Sequence, residues 1–278
     1  MTREDFDRIV REAIGDQNLF GYAVLPNEDK TYHMYEMYYS NDEFNKFCNT
    51  MKSNYECIYD SYARGKGSEL VGTPPKMASV ASSSRFCYLS LRDASISDFD
   101  NAVESSGPFE FEKELLVRDI TGTNPQMDAF TETDRFIFFF EFKCHELFDN
   151  HKKVLSSQYD KYFKKWGVSR NSEKIPLREF GIDTIKLFDL KQFITHIVGI
   201  INYPGNGKRK VFSYVYFKPV QADNKIYENL ISEIRSIFNS DTVKKICEEN
   251  EIELRLYFYE NSIMEGFEKK KKPILCSF

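Results

Sequence analysis

The sequence predicts an α/β fold with a central mixed β-sheet flanked by helices. Two segments with strand-like alternation, 211–220 and 252–259, are separated by a segment with helical spacing of apolar residues, 226–247. A strand, a helix and a second strand in that order predict a crossover between parallel strands. Two earlier segments, 127–131 and 136–143, are joined by a short polar turn, and we expect them to pair antiparallel. One sheet with both strand orientations follows.

The N-terminal quarter is predicted to be rich in helix. Apolar residues recur at helical spacing over 1–14 and again over 41–63, where Asn41 or Asp42 is a suitable N-cap. Residues 20–25 predict a strand, and the tyrosine-rich segment 32–39 fits either structure. A break then follows, which contains Gly65, Gly67, Gly72, Pro74 and Pro75.

That break is the predicted domain boundary. Residues 1–75 are expected to form an N-terminal α-rich extension, and residues 76–278 the main domain. Within the main domain, 109–117 predicts a strand and 189–201 a helix with a continuous apolar side.

Composition indicates a globular protein. The 278 residues are 41% hydrophobic and 29% charged, with a net charge of −5. No stretch approaches the roughly 18–20 apolar residues of a membrane span, and the charged start of the chain does not resemble a signal peptide. The six cysteines are scattered without a CxxC pair, which is typical of reduced thiols. We expect a cytoplasmic protein without membrane contact.

The most informative segment is the phenylalanine-rich strand that ends in Glu141 and Lys143. Burying either charge costs several kcal/mol unless it is paired or holds a metal. If the preceding turn has an even number of residues, Asp128 pairs opposite Phe139 and shares a face with both charged residues. An odd number would place Asp128 on the other face.

Three such residues suit hydrolytic chemistry. Two carboxylates can hold a hard cation such as Mg²⁺ or Mn²⁺, which polarises a phosphoryl oxygen and lowers the pKa of a bound water. Lys143 could orient or deprotonate that water, or stabilise charge in the transition state. The simpler interpretation is a surface salt bridge at the end of a strand.

These residues resemble the PD-(D/E)XK nuclease superfamily, which has the restriction-endonuclease-like fold. The likeness lies in Asp128, twelve intervening residues and then Glu141-Phe142-Lys143, and extends loosely over 79–220. The strings Met-Asp-Ala-Phe and Glu-Phe-Lys-Cys-His-Glu resemble a branch of mostly uncharacterised bacterial members. Met127 stands where the family motif has proline. The resemblance implies that Asp128 and Glu141 are metal ligands and that Lys143 is the catalytic lysine.

Two further residues are candidates for the same site. Glu112 joins the metal ligands if its strand lies beside that of Asp128; alternatively its strand is an edge strand with an acidic face in water. Superfamily members often carry a glutamine on a helix after the Glu-x-Lys strand, which would make Gln192 a site residue. Gln192 also fits a capping box with Asp189. His196, four residues on, is expected to be a core or interface histidine.

A basic and aromatic stretch predicts a nucleic-acid contact. Between residues 151 and 170, six basic residues stand against one acidic residue, with aromatic residues between them. Cations suit a phosphate backbone, and aromatic rings can stack on bases. A solvated helix face explains the same pattern. The candidates are Lys152, Lys153, Lys161, Lys164, Lys165 and Trp166.

The sequence therefore favours a divalent-metal-dependent nuclease that hydrolyses phosphodiester bonds, with DNA as the expected substrate by analogy. The alternative is a nucleic-acid-binding protein that keeps the nuclease fold but does not cut. A third hypothesis is an interaction protein whose N-terminal part recruits a partner. A homodimer is compatible with each of them.

Overall fold

The computed structural model contains a two-stranded N-terminal sheet and a six-stranded mixed sheet with helices on both faces. Together these elements and their connections make up the part of the chain that the structure describes. It covers residues 19–26, 33–39, 41–65, 69–72, 74–79, 81–100, 103, 107–122, 124–144, 154–219, 224–261 and 273–276.

The N-terminal part contains strands as well as helices. Its two strands pair antiparallel. The segment predicted as one helix over 41–63 forms two helices, which are interrupted at Tyr55. The predicted helix over 1–14 lies outside the described residues. The elements are β1 (Leu19–Pro26), β2 (His33–Tyr39), α1 (Asn41–Asn54), α2 (Glu56–Arg64) and α3 (Ser83–Leu91).

The six strands of the larger sheet follow one another in chain order. The first three pair antiparallel, the third, fourth and fifth pair parallel, and the last pairs antiparallel. This confirms the predicted mixed sheet and the parallel crossover. The strands are β3 (Glu110–Glu114), β4 (Gln126–Glu132), β5 (Phe136–Lys143), β6 (Arg209–Pro219), β7 (Ile252–Asn261) and β8 (Ile274–Cys276).

Four helices from the second half of the chain cover one face of this sheet. The helix predicted over 226–247 forms two pieces that are separated at Asn239 and Ser240. Ser240 caps the second piece by accepting a hydrogen bond from the backbone N–H of Val243. The helices are α4 (Asp160–Trp166), α5 (Leu190–Asn202), α6 (Asn224–Phe238) and α7 (Asp241–Glu249).

Strand β6 shows how the sheet serves two cores. Phe212 and Tyr214 point towards α5 and pack with it, whereas Val211 and Val215 pack on the opposite side with α3. Alternation at a period of two produces this division. A fully buried phenylalanine contributes about 1.5–3 kcal/mol to folding, so the phenylalanines of β5 and β6 anchor both layers.

The helices before the predicted boundary at residue 75 share the second of these cores. Phe44, Met51 and Tyr62 belong to the same buried cluster as the sheet residues Phe111 and Phe140. The rings of Tyr62 and Phe111 lie 5.6 Å apart between centroids. Helices α1 and α2 therefore pack on the sheet and not on a core of their own.

Among the described residues, no helix is both long and apolar enough to cross a membrane.

Candidate active site

The hairpin of β4 and β5 places Asp128 beside Glu141. Phe130 pairs with Phe139 and Ala129 with Phe140, and the same register continued by one residue sets Asp128 opposite Glu141. Of the two turn lengths that the sequence leaves open, the structure has the even one, but Asp128 lies opposite a residue two positions further along β5 than Phe139. The turn itself explains the difference. The N–H of Thr133 donates to Phe136 O at 2.9 Å, so the turn closes one residue later than the sequence suggests.

The carboxylate of Asp128 is held by the backbone of the opposite strand. Its Oδ2 accepts a hydrogen bond from the N–H of Phe142 at 2.6 Å. Side-chain alternation is broken nearby, because Met127 and Phe130 contribute to the same cluster on the α5 side. The Asp128 carboxylate thus accepts a backbone hydrogen bond that a carbonyl of β4 would accept in a regular antiparallel pair. This bond fixes the side chain at the end of the strand pair.

Glu141 and Lys143 form a buried ion pair. Their exposed fractions are 3% and 7%, and Lys143 Nζ lies 2.5 Å from Glu141 Oε1. Both side chains point to the α5 side of the sheet, in line with Phe139. The simpler interpretation of a surface salt bridge is wrong, because both groups are shielded from water.

Gln192 takes part in the N-cap of α5 through its backbone, but its side chain does not complete the capping box. The Asp189 carboxylate caps α5 by accepting from the backbone N–H of Gln192 at 2.9 Å. The side chain of Gln192 remains free of the cap, and its Nε2 donates to Glu141 Oε1 at 2.8 Å.

His196 lies on the second oxygen of Glu141. Its Nδ1 is 3.6 Å from Glu141 Oε2, and the imidazole is 3% exposed. Among the described residues neither of these two atoms has a hydrogen-bond partner. Burial lowers the pKa of His196, although the charge of Glu141 raises it.

Burial and neighbouring carboxylates raise the pKa values of two acids in the site. Burial raises the pKa of Asp128 well above its usual value; the charge of Glu141 raises it further, whereas Lys143 lowers it. Burial, followed by the charges of Glu69 and Glu141, raises the pKa of Glu112 to about 7. Two lysines oppose these acids, because Lys143 pairs with Glu141, and Lys76 pairs with Glu69 and lowers the pKa of Glu112.

Glu112 lies on β3, which pairs directly with the strand of Asp128. The interpretation of Glu112 as a metal ligand required this arrangement. The register of β3 and β4 continues across this position, with Phe111 opposite Ala129 and Lys113 opposite Met127. Its backbone is left-handed, with φ of 55°, and a Cβ on Gly65 would lie 3.3 Å from its Oε2. The carboxylate therefore rests against the end of α2.

The three predicted metal ligands do not form one compact group. Within the described ranges, no three His, Cys, Asp or Glu side chains are close enough to hold an ion together. Asp128 and Glu141 lie on adjacent strands, and the charge of Glu112 contributes to the raised pKa of Asp128. Mg²⁺ commonly uses one or two carboxylates and completes its shell with water and phosphate oxygens.

The predicted nucleic-acid stretch divides into a surface and a core. Lys164 and Lys165 are exposed, and Lys161 Nζ pairs with Asp119 Oδ2 at 2.8 Å. Trp166 is only 4% exposed and packs edge-on against Phe163, so its ring is not presented for stacking. Lys152 and Lys153 lie outside the described residues.

The lysines of α4 are also distant from the carboxylates. Tyr162 of α4 accepts a hydrogen bond from Asn202, the last residue of α5, whereas Gln192 lies in the first turn of that helix. Ten residues of helix span roughly 15 Å. A strand of nucleic acid would have to extend along α5 to contact both regions.

Sequence reasoning missed two residues beside Glu141. Tyr214 is its register partner on β6, and the Tyr214 hydroxyl is buried with no hydrogen-bond partner among the described residues. Glu69, 6% exposed, adds a further negative charge near Glu112. A tyrosine in an apolar strand is a weak signal, and nothing local marks Glu69. The position of His196 near Glu141 could have been inferred from sequence, because His196 is four residues from Gln192 and lies on the same side of the helix.

Comparisons of the chain with protein-family models, with curated proteins and with solved structures find no match.

Proposed function

We propose that the chain is a divalent-metal-dependent nuclease with the restriction-endonuclease-like fold, and that it hydrolyses phosphodiester bonds in DNA. The observation that carries the proposal is the ion pair of Glu141 and Lys143, buried beside Asp128 and bonded by Gln192. A buried ion pair contributes little net stability compared with well-packed apolar residues. Its presence in a phenylalanine-rich core thus needs a reason other than folding.

The donors fit a hard divalent cation. Asp128 and Glu141 come from adjacent strands, and Glu141 Oε2 has no hydrogen-bond partner among the described residues. Burial and the charge of Glu141 raise the pKa of Asp128, so a cation at this position would favour its ionised form. Asp128 and Glu141 would hold Mg²⁺ or Mn²⁺, which supplies polarisation of a phosphoryl oxygen and a bound water of lowered pKa.

The remaining chemistry belongs to the side chains of the chain itself. The Lys143 ammonium is available to orient the attacking water or to stabilise charge that develops on the phosphoryl oxygens. Gln192 keeps Glu141 Oε1 in place from α5. The buried surroundings strengthen each of these interactions, since water screens them less.

A cleavage assay tests the proposal. Plasmid and single-stranded DNA are incubated with the protein and Mg²⁺ or Mn²⁺, with and without a chelator, and the same assay is run on RNA. We expect cleavage that the chelator abolishes and that Lys143→Ala loses while its circular dichroism stays native. Lys245→Ala, exposed on α7, is the control and should cleave normally.

Two outcomes would contradict the proposal. Binding of DNA by the wild type and by Lys143→Ala alike, without cleavage, would support the alternative of a non-cleaving nucleic-acid-binding protein. If the wild type neither binds nor cleaves DNA, the hypothesis that remains is an interaction protein.

A further inference from the structure

The ammonium of Lys143 shares one oxygen of Glu141 with a side chain of α5. Nζ of Lys143 donates to Oε1 of Glu141 at 2.5 Å, and Nε2 of Gln192 donates to the same atom at 2.8 Å. A carboxylate oxygen has two lone pairs, and these two donors use both of them. Oε1 therefore has no lone pair left for a cation while Lys143 stays in place.

The second oxygen of Glu141 is enclosed by its surroundings. Oε2 is buried and has no hydrogen-bond partner among the described residues. It lies 3.6 Å from Nδ1 of His196, and both side chains are only 3% exposed. A hydrated cation cannot reach Oε2 from solvent unless the side chains around the carboxylate move.

Lys143 also acts on the other carboxylate of the proposed metal site. Burial and the charge of Glu141 raise the pKa of Asp128, and the charge of Lys143 lowers it. Because Lys143 is only 7% exposed, water screens its charge weakly. One ammonium thus acts on two carboxylates from adjacent strands, which is the task that the proposed function gives to Mg²⁺ or Mn²⁺.

An ammonium and a divalent cation compete for the same carboxylates. Both are bound through oxygen lone pairs, and two positive charges repel each other strongly where water screens them little. Lys143 is the last residue of β5, and its ammonium stands on a flexible four-carbon stem. The ammonium can therefore leave Glu141 without a change in the backbone of the sheet.

We propose that Lys143 keeps the carboxylate site closed in the metal-free chain, and that it leaves Glu141 when a divalent cation binds. The inference rests on the proposed function, in which Asp128 and Glu141 are the metal ligands. It adds an order of events to that function. Lys143 stays paired with Glu141 until the site is loaded, and only then is its ammonium free for the attacking water or the phosphoryl oxygens.

Lys143→Met tests the competition, because methionine is also unbranched and carries no charge. Mn²⁺ affinity is measured by calorimetry on the metal-free chains. We expect Lys143→Met to bind Mn²⁺ about 10–100-fold more tightly than the wild type, since the ion no longer has to break a hydrogen bond between charged groups. Lys143→Arg keeps the charge and the pairing, and it should bind Mn²⁺ no more tightly than the wild type.

Lys76 is the matched control for the loss of a positive charge. Its Nζ lies 3.5 Å from Oε1 of Glu69, and its charge lowers the pKa of Glu112. Because Lys76 is largely exposed, Lys76→Met should change Mn²⁺ affinity by less than about fivefold. An equal gain in Lys76→Met and Lys143→Met would overturn the inference, because it would show a general effect of charge and not a competition at Glu141.

Crystal structures of the wild type with and without Mn²⁺ test the movement itself, and they do not depend on whether a variant folds. In the metal-free chain we expect Lys143 Nζ on Glu141 Oε1. In the Mn²⁺-bound chain the two atoms should be separated by more than about 3.5 Å, beyond hydrogen-bond distance. An ion held by both carboxylates while Lys143 still bonds to Oε1 would overturn the inference.

Failure of the proposed function gives a different result. If the wild type neither binds Mn²⁺ nor cleaves DNA but Lys143→Met binds the ion, the inference holds and the proposed function fails. If the wild type binds Mn²⁺ and cleaves DNA, and Lys143→Met gains no affinity, the inference fails alone. Binding in neither protein overturns both.

Discussion

The two ends of α5 each meet a lysine of the sheet, and the two lysines have the same exposed fraction of 7%. At the C-terminal end, Lys210 Nζ donates to the backbone oxygens of Ile200 and Tyr203, each at 2.8 Å. Near the N-terminal end, Lys143 is paired with Glu141. Burial of a charge is therefore not in itself a sign of function, since its partners decide the role.

The chemistry of a helix terminus accounts for Lys210. The last carbonyls of a helix lack partners within the helix, and a cation there also meets the negative end of the helix dipole. Burial lowers the pKa of Lys210, but its two carbonyl contacts satisfy the ammonium. Lys143 is instead paired with a carboxylate beside Asp128, and the proposed hydrolysis depends on this arrangement.

The largest expected contrast is in catalysis. Lys143→Ala should lower the rate of DNA cleavage by about 10²–10⁴-fold, the usual range for a group that assists a proton transfer. Lys210→Met should keep the wild-type rate per folded molecule. A cleavage assay with the folded fraction measured by circular dichroism checks both variants. Equal rates in Lys143→Ala and the wild type would remove the distinction between the two lysines.

The contrast reverses for stability. Lys210→Met leaves two buried carbonyls without their charged donor and should lower the free energy of unfolding by about 1–3 kcal/mol. Urea denaturation measures this change, with Lys245→Met on the exposed face of α7 as the control. A Lys210→Met variant as stable as the control would show that the cap does not stabilise α5.

The acids around Lys143 give stability a pH dependence that Lys210 does not. The pKa of Glu112 is raised to about 7. Its stabilising contribution is thus present below its ordinary pKa of about 4.5 and is lost as the pH rises through 7. The wild type should lose about 1–3 kcal/mol of unfolding free energy between pH 5 and pH 8 that Glu112→Gln retains.

Urea denaturation of both proteins at the two pH values measures the difference. An identical change in the wild type and in Glu112→Gln would mean that Glu112 titrates normally.

The smallest effects are expected from the exposed lysines of α4. Lys164→Ala combined with Lys165→Ala should weaken DNA binding by less than about tenfold, by a similar factor for every DNA sequence, and lower its salt dependence. Trp166→Phe should leave DNA affinity unchanged because the ring is buried. Binding titrations at two salt concentrations check these values. A large loss in Trp166→Phe, with the fold intact, would restore the stacking role that the sequence suggests.

Much of the sheet could be predicted because alternation and turn residues are local signals. The limits of β5 agree with the sequence prediction, and the parallel crossover to β7 is confirmed. The register of β4 and β5 was wrong by two residues, because it depends on which hydrogen bonds close the turn at Thr133. A shift of two residues preserves alternation in a regular strand, but alternation is broken between Met127 and Phe130, beside Asp128.

The contacts between the residues of the candidate site were harder to predict than which residues belong to it. Gln192 had two interpretations from sequence, and the structure shows an N-cap bond to its backbone N–H and a side-chain bond to Glu141 in place of a capping box. The contact of His196 with Glu141 depends on the angle at which α5 crosses β5, which no local pattern specifies. Trp166 illustrates the opposite case, because tertiary packing decides whether an aromatic residue between lysines faces water or the core.

Mn²⁺ binding to the metal-free chain tests the central claim most directly, because the claim is that Asp128 and Glu141 hold one cation jointly. Calorimetry on the wild type, Asp128→Asn, Glu141→Gln and Lys143→Ala measures it. The account predicts one ion per chain in the wild type and in Lys143→Ala, with binding lost in each carboxylate variant. Unchanged binding in either carboxylate variant, or no binding in the wild type, would contradict it.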